Sequence, residues 1–247
     1  MLTNQDGSLN EAAVEPIVNA LAALQKSGKQ VALVTCGAIP AGVTRLRLPS
    51  YPAEIKAKQA AAAVGQPALM NIYDKFFGLH GITVAQLLLS KYTVQRDDVL
   101  SNVTNTISIL FGLGVIPIIN ENDSIVTDEL KLGDNDMLAA YVSNIICADL
   151  LLILTSVDGL CDRDPRRHGA KVIPEVTAIT EQIKSFANGP KTAAAYGTGG
   201  MATKLAAAVT ASRTKTKTII MNGFRPHEIL DALAGATVGT YIDLMFR

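Results

Sequence analysis

Residues 114–136 read GVIPIINENDSIVTDELKLGDND. Val115 to Ile119 is a continuous apolar run with no polar alternation. That pattern marks a strand buried on both faces, as in a parallel sheet covered by helices. The run stops in Asn120, Glu121, Asn122 and Asp123, and a second cluster, Asp134, Asn135 and Asp136, follows about ten residues later. Ligands in open parallel sheets bind beyond the carboxyl ends of the strands. Two groups of carboxylates and amides therefore stand where such a sheet does its chemistry. Between them, Val126 to Leu132 (VTDELKL) alternates and reads as a hairpin arm projecting beyond the sheet.

The flanking sequence repeats the strand–helix alternation. Amphipathic helices are expected over 10–27, closed by Gly28, then over 55–77, 97–112, 137–147, 202–213 and 226–233. Strands are expected at Val31–Thr35, Thr83–Leu89, Leu150–Thr155 and Thr218–Met221, with an edge strand at 237–242. Strands alternating with helices imply parallel pairing. The expected fold is α/β, a three-layer sandwich with a mostly parallel central sheet and helices on both faces. No repeat, low-complexity tract or Pro/Ser linker interrupts it, so residues 1–247 are read as one domain. Four strand ends carry unusual loops: Thr35-Cys36-Gly37, Asn120 to Asp123, Thr155-Ser156 and Asn222-Gly223. Each taken alone could be an ordinary turn, because Gly, Asn, Asp and Ser favour turns.

Bulk properties narrow the function classes. The chain has 247 residues, 49% hydrophobic and 18% charged, with zero formal net charge. The hydrophobic content supplies a sizeable core. The absence of net charge removes the electrostatic case for nucleic acid or an anionic membrane. The apolar runs are too short to span a bilayer, and MLTNQDGSLN lacks a signal-peptide pattern. Cys36, Cys147 and Cys161 have no C-x-x-C spacing, which argues for a reducing compartment and against structural zinc. His80, His168 and His227 are isolated and read as ordinary surface or core residues.

GTGGMATK, Gly197 to Lys204, is the most telling short string. Its glycines let backbone N–H groups crowd an anion, and the helix beginning near Met201 aims its positive end the same way. Lys204, one turn in, supplies a point charge for phosphate. The glycine spacing departs from the Walker loop, and a plain glycine linker ahead of an Ala-rich helix is the competing explanation. GAIPAG, Gly37 to Gly42, reads as a small-residue turn, serving either close ligand approach or tight packing. The acidic clusters can hold an α-ammonium, a hydroxyl or hydrated Mg²⁺. Helix capping explains one residue of Asp134, Asn135 and Asp136. It does not explain all three together with Asn120 to Asp123. The spacing of an EF-hand is absent.

VTCGAIPAG, KQAAAAVGQ, PIINENDSIVTDELKLGDND, TSVDGL and GTGGMATKLAAA stand in the order and spacing of the glutamate 5-kinases, in the amino-acid kinase superfamily. The resemblance runs from about Leu2 to Tyr241, and the combination of INEND, GDND and GTGGM-x-TK is specific within the superfamily. It implies ATP-dependent phosphorylation of the γ-carboxylate of L-glutamate to glutamyl 5-phosphate for proline synthesis, in the cytoplasm. The glutamate positions fall on Cys36, Asp123 and Asn135, with Gly37, Asn120 and Asp134 close by. The ATP positions fall on Thr155 and Ser156 and on the loop Thr198, Gly199, Gly200, Met201, Ala202, Thr203 and Lys204. Lys204 offsets charge on the moving phosphoryl group, and Asp136 orients the phosphate-binding lysines. Mg²⁺ bridges the ATP phosphates, and the resemblance does not say which carboxylate touches it. Proline as a feedback inhibitor and a homo-oligomeric state are further family expectations.

The pattern departs from the family in three places. The family opens with a strand and glycine-rich turn of the type VVKxGTSxLT, and MLTNQDGSLN starts inside it. The resemblance thus implies a form without that first strand and its lysine, and without a PUA domain. Cys36 replaces the usual serine, and Ser156 the usual aspartate. These departures motivate an alternative: an impaired or inactive homologue that binds glutamate, proline or nucleotide as a sensor or subunit partner. A nicotinamide-dependent oxidoreductase would need G-x-G-x-x-G after the first strand, which is absent.

Overall fold

A computed structural model describes residues 2–4, 6–90, 96–125, 135–188 and 200–244. The Val126–Leu132 hairpin expected from the sequence lies outside them. The chain forms two compact units, Met1–Asn135 and Asp136–Arg247.

The first unit carries a parallel sheet in the order β1-β3-β2, with β1 at Leu33–Val34, β2 at Val84–Leu89 and β3 at Ile116–Glu121. Central β3 pairs on both sides, Val34 with Ile119 and Val84 through Leu89 with Ile116 through Glu121. Every β3 residue is buried, as its unbroken apolar run predicts. The strand runs two residues further than expected. Leu88 and Leu89 of β2 still pair with Asn120 and Glu121, because ladder bonds involve the backbone whatever the side chain. Two polar residues are thereby carried into a buried strand end.

The unit's helices are α1 (Val14–Lys26), α2 (Ala38–Leu46), α3 (Ile55–Gly78) and α4 (Asp97–Gly112). Helix α1 buries Val14, Ile17, Val18, Leu21 and Leu24, the three- and four-residue recurrence of an amphipathic helix. Helix α2 corrects the reading of GAIPAG as a turn. Its small residues serve a helix–helix crossing: a Cβ on Gly42 would lie 1.9 Å from the Ala61 carbonyl oxygen, and one on Gly65 would lie 1.9 Å from that of Ala38. Only hydrogen at both positions lets α2 and α3 approach this closely.

In the second unit the sheet order is β4-β6-β7-β5, with β4 at Leu150–Thr155, β5 at Glu175–Val176, β6 at Lys217–Asn222 and β7 at Thr240–Ile242. The β4–β6 and β5–β7 pairs are parallel and β6–β7 is antiparallel. Its helices are α5 (Asn135–Ile145, whose first residue belongs to the first unit), α6 (Glu181–Ala187), α7 (Met201–Ala211) and α8 (Glu228–Leu233). Strand β5, two residues long, and helix α6 were not expected. The core gathers Leu151, Ile153, Leu160 and Ile220 around Ala207, Ala208 and Ala211 of α7. Alanines on that face keep α7 close to the sheet.

Candidate functional site

Strands β1 and β3 are parallel neighbours, so their carboxyl ends lie side by side. Beyond β1 come Thr35, Cys36 and Gly37, and β3 ends in Asn120 and Glu121. Gly37 caps α2 with φ 111°, a left-handed conformation that L side chains rarely adopt, and a Cβ there would meet Leu9 Cδ1 at 3.0 Å. The chain turns sharply here and leaves the Cys36 thiol exposed.

Asn120, 2% exposed, is fully engaged. Its Nδ2 donates to Gln66 Oε1 at 2.9 Å. Its Oδ1 accepts the Glu121 N–H at 2.9 Å and Asn135 Nδ2 at 3.2 Å. Asn135 Nδ2 also donates to the Thr35 carbonyl. Asn120 and Asn135 thus meet, and together they join the ends of β1 and β3 to the start of α5. Thr35 Oγ1 shares a 2.6 Å hydrogen bond with the buried Tyr73 hydroxyl. Burial pushes the Tyr73 phenol well above its ordinary pKa, against the opposing effect of that hydrogen bond.

Asp123 lies in the turn after β3, half-buried. Burial raises the Tyr51 phenol pKa, and the Asp123 carboxylate and Cys36 add to the rise. Tyr51 therefore sits in the electrostatic neighbourhood of both. Sequence reading placed Thr35 in a strand-end loop and missed Gln66, Tyr73 and Tyr51. For Gln66 a signal existed: an amide beside the Ala-rich run of α3. For Tyr51, in the loop after α2, there was none.

The second unit holds the other set. Thr155 ends β4, and Ser156 follows it, exposed. Helix α7 starts at Met201 with Gly200 in extended conformation as its cap. Thr203 and Lys204 both send their N–H groups back to the Gly200 carbonyl, at 3.2 and 3.3 Å, and Thr203 Oγ1 does so at 2.8 Å. Met201 and Ala202 occupy the first turn. The α7 start presents the first-turn N–H groups and positive dipole end of an eleven-residue helix. Lys204 Nζ reaches Asp136 Oδ2 at 2.7 Å, with the side chains only 10% and 18% exposed. Asp134, Thr198 and Gly199 lie outside the described residues. Beside the β6 end, a cavity of about 340 Å³ is lined by Asp158, Arg225 and Glu228 together with Val172, Pro174 and residues 237–239. Among the described residues no group of three His, Cys, Asp or Glu could hold a metal ion. Nor is any helix long and apolar enough to cross a membrane.

Residues 2–222 match the model of the amino acid kinase family. A glutamate 5-kinase from Clostridium perfringens is 44% identical over 97% of this chain and 90% of its own length. That of Clostridium tetani is 44% identical over 98% and 90%. The glutamate 5-kinase of Pelobacter propionicus is 42% identical over 97% of this chain but is longer, so the chain spans 64% of it. Among solved structures, T. acidophilum isopentenyl phosphate kinase in a product complex superposes with TM-score 0.67 at 18% identity, covering 98% of this chain and 95% of that one. Carbamate kinase from Giardia lamblia bound to AMP-PNP superposes with TM-score 0.64 at 18% identity, covering 95% and 90%. At such identities the likeness concerns the fold.

Proposed function

The chain belongs to the amino acid kinase family, and we propose that it transfers the γ-phosphoryl group of ATP to the γ-carboxylate of L-glutamate, yielding glutamyl 5-phosphate for proline synthesis. Relatives more than 40% identical over nearly the whole chain, named glutamate 5-kinase, support the substrate. The observation that carries the chemistry is the Lys204–Asp136 pair at the start of α7. A nearly buried ammonium beside the N–H groups of a helix start suits a phosphoryl group whose charge spreads during transfer.

In this reading Cys36, Asp123 and Asn135 hold glutamate, with Gly37, Asn120 and Asp134 shaping the surroundings. Thr155, Ser156 and the loop Thr198 to Lys204 hold the nucleotide. A glutamate carboxylate oxygen attacks the γ-phosphorus as the bond to the bridging β–γ oxygen breaks, and ADP leaves. The attacking carboxylate is already an anion, so no general base is needed. Lys204 balances the charge, and Asp136 holds the ammonium in place. Mg²⁺ enters with ATP. The ion would be held mainly by phosphate oxygens, with one or two protein carboxylates. Residues 1–247 act as one kinase domain in a reducing, cytoplasmic setting. Association into homo-oligomers and inhibition by proline at the glutamate site belong to the same proposal.

A coupled ADP-release assay tests the reaction. Glutamate-dependent release with MgATP, together with hydroxylamine trapping of the acyl phosphate, is the expected result. ADP release no faster with glutamate than without it would overturn the reading and leave a binding-only homologue.

A further inference from the structure

The Asn222-Gly223 strand end stood out in the sequence, yet the proposed reaction gives it no role. It lies at the carboxyl end of β6, directly beside that of β4, since Thr155 pairs with Asn222. The Gly223 N–H donates to the Thr155 carbonyl at 2.9 Å, so the two strand-end loops are in backbone contact.

Asp158 reinforces this junction. It lies two residues after Ser156, in the turn that leaves β4. Its Oδ1 accepts Asn222 Nδ2 at 2.7 Å and also Arg225 Nη2. Asn222 uses its other end as well: its Oδ1 accepts the Phe224 N–H at 2.9 Å. The second guanidinium arm of Arg225 reaches Glu228 Oε1 at 3.1 Å. One carboxylate therefore ties the β4 turn to the last residue of β6 and to the middle of the loop between β6 and α8. Beyond Asp158, the Leu160 N–H is anchored on Thr240 Oγ1 at 2.8 Å, so the far side of the turn is fixed independently.

The energetics point away from bulk stability. The Asp158 and Arg225 side chains are 56% and 44% exposed, and ion pairs this exposed contribute little to folding. Both line the cavity beside the β6 end rather than the apolar core. Arg225 keeps Glu228 if Asp158 is lost, so removing the Asp158 carboxylate strands no buried charge. What the carboxylate fixes is the relative position of Thr155, Ser156 and the neighbouring loop.

We propose that Asp158 is a positioning residue for the nucleotide: through Asn222 and Arg225 it sets the shape of the strand-end surface that carries Thr155 and Ser156. This rests on the reading that those two residues face ATP.

The test uses the full-length protein and the variants Asp158→Asn, Asp158→Ala and Arg225→Met. MgADP affinity is measured by calorimetry, and KM for ATP, KM for glutamate, kcat and Tm are measured separately. The expected result is a rise of about 3- to 10-fold in both MgADP Kd and ATP KM, the scale of one exposed charge-assisted link. Glutamate KM, kcat and Tm stay near their parent values. Asp158→Ala combined with Arg225→Met should lose less than the sum of the two single variants, because the Asp158–Arg225 link is removed in both. Unchanged MgADP Kd in the single variants would overturn the proposal. So would a loss spread evenly over ATP, glutamate and Tm, which is the mark of general destabilisation. If the parent binds MgADP but does not phosphorylate glutamate, the reaction reading fails while the calorimetric arm still decides the role of Asp158. A parent protein that binds no MgADP would end both.

Discussion

Lys204 Nζ donates to Asp136 Oδ2 at 2.7 Å across 68 residues of sequence, and neither side chain is more than one-fifth exposed. A pair so shielded from water is held by mutual neutralisation, and removing one member leaves an uncompensated charge. Structural support and phosphate binding must therefore be separated experimentally. Lys204→Met should lower kcat/KM for ATP by about 100-fold or more, the scale of losing one positioned electrostatic donor. Lys204→Arg keeps the charge, so it should retain the far-ultraviolet circular dichroism and Tm of the parent while losing activity through altered geometry. Lys204→Met with activity near that of the parent would refute the phosphate role.

Cys36 sits exposed one residue past the buried Thr35. If glutamate covers it, saturating glutamate should protect it from alkylation. At ten times the glutamate Kd, iodoacetamide modification of Cys36, followed by peptide mass spectrometry, should slow about tenfold by mass action. Cys147, also exposed, serves as the internal control and should react at an unchanged rate. Equal Cys36 rates with and without glutamate would remove Cys36 from the substrate site. Cys36→Ser should lower the KM for glutamate, since a hydroxyl is the better hydrogen-bond partner.

Gly65 has no room for a methyl group: a Cβ would lie 1.9 Å from the Ala38 carbonyl oxygen and 2.3 Å from the Gly42 nitrogen. Both obstacles are backbone of α2, so relief requires moving a helix rather than a side chain. Gly65→Ala should cost about 3 kcal/mol or more, against the small gain in helix propensity that alanine brings elsewhere. Differential scanning calorimetry should show Tm lower by roughly 5–12 °C. A stabilised variant would show that α2 and α3 do not cross this closely.

Tyr73 is buried, and its hydroxyl is tied to Thr35. Burial raises its pKa in the folded protein, so the folded state holds this proton where the unfolded state releases it. The associated stability is complete below the ordinary phenol value of about 10 and is lost as pH rises from there through the folded value. Ultraviolet titration at 295 nm should therefore show the Tyr73 phenol ionising only above the ordinary phenol range, in step with alkaline unfolding. In Tyr73→Phe that late step should vanish. A full six-tyrosine titration in the native protein near pH 10 would contradict the burial.

Much of the fold was legible because period and run length are local properties. The apolar run at Val115 to Ile119, the Ala-rich stretch of α3 and the Leu150–Thr155 strand each announce their type within a few residues. Helix α2 was not legible. Its composition, Gly-Ala-Ile-Pro-Ala-Gly, is turn-like, and only the facing surface of α3 makes small residues an advantage there. Strand β5, at two residues, is too short to show an alternation, and α6 was not read from the sequence either.

By itself, the sequence determined the α/β class, the family and the residue types at the strand ends, because these follow from hydrophobic period and from short strings of glycine, amide and carboxylate. Tertiary structure alone decided which of those residues meet. Asn120 is joined to Gln66 and Asn135, Lys204 to Asp136, and Asp158 to Asn222 and Arg225, across separations of 15 to 68 residues. The physical reason is that strand register and helix crossing set those distances, and both arise from packing between segments that no local window of sequence contains.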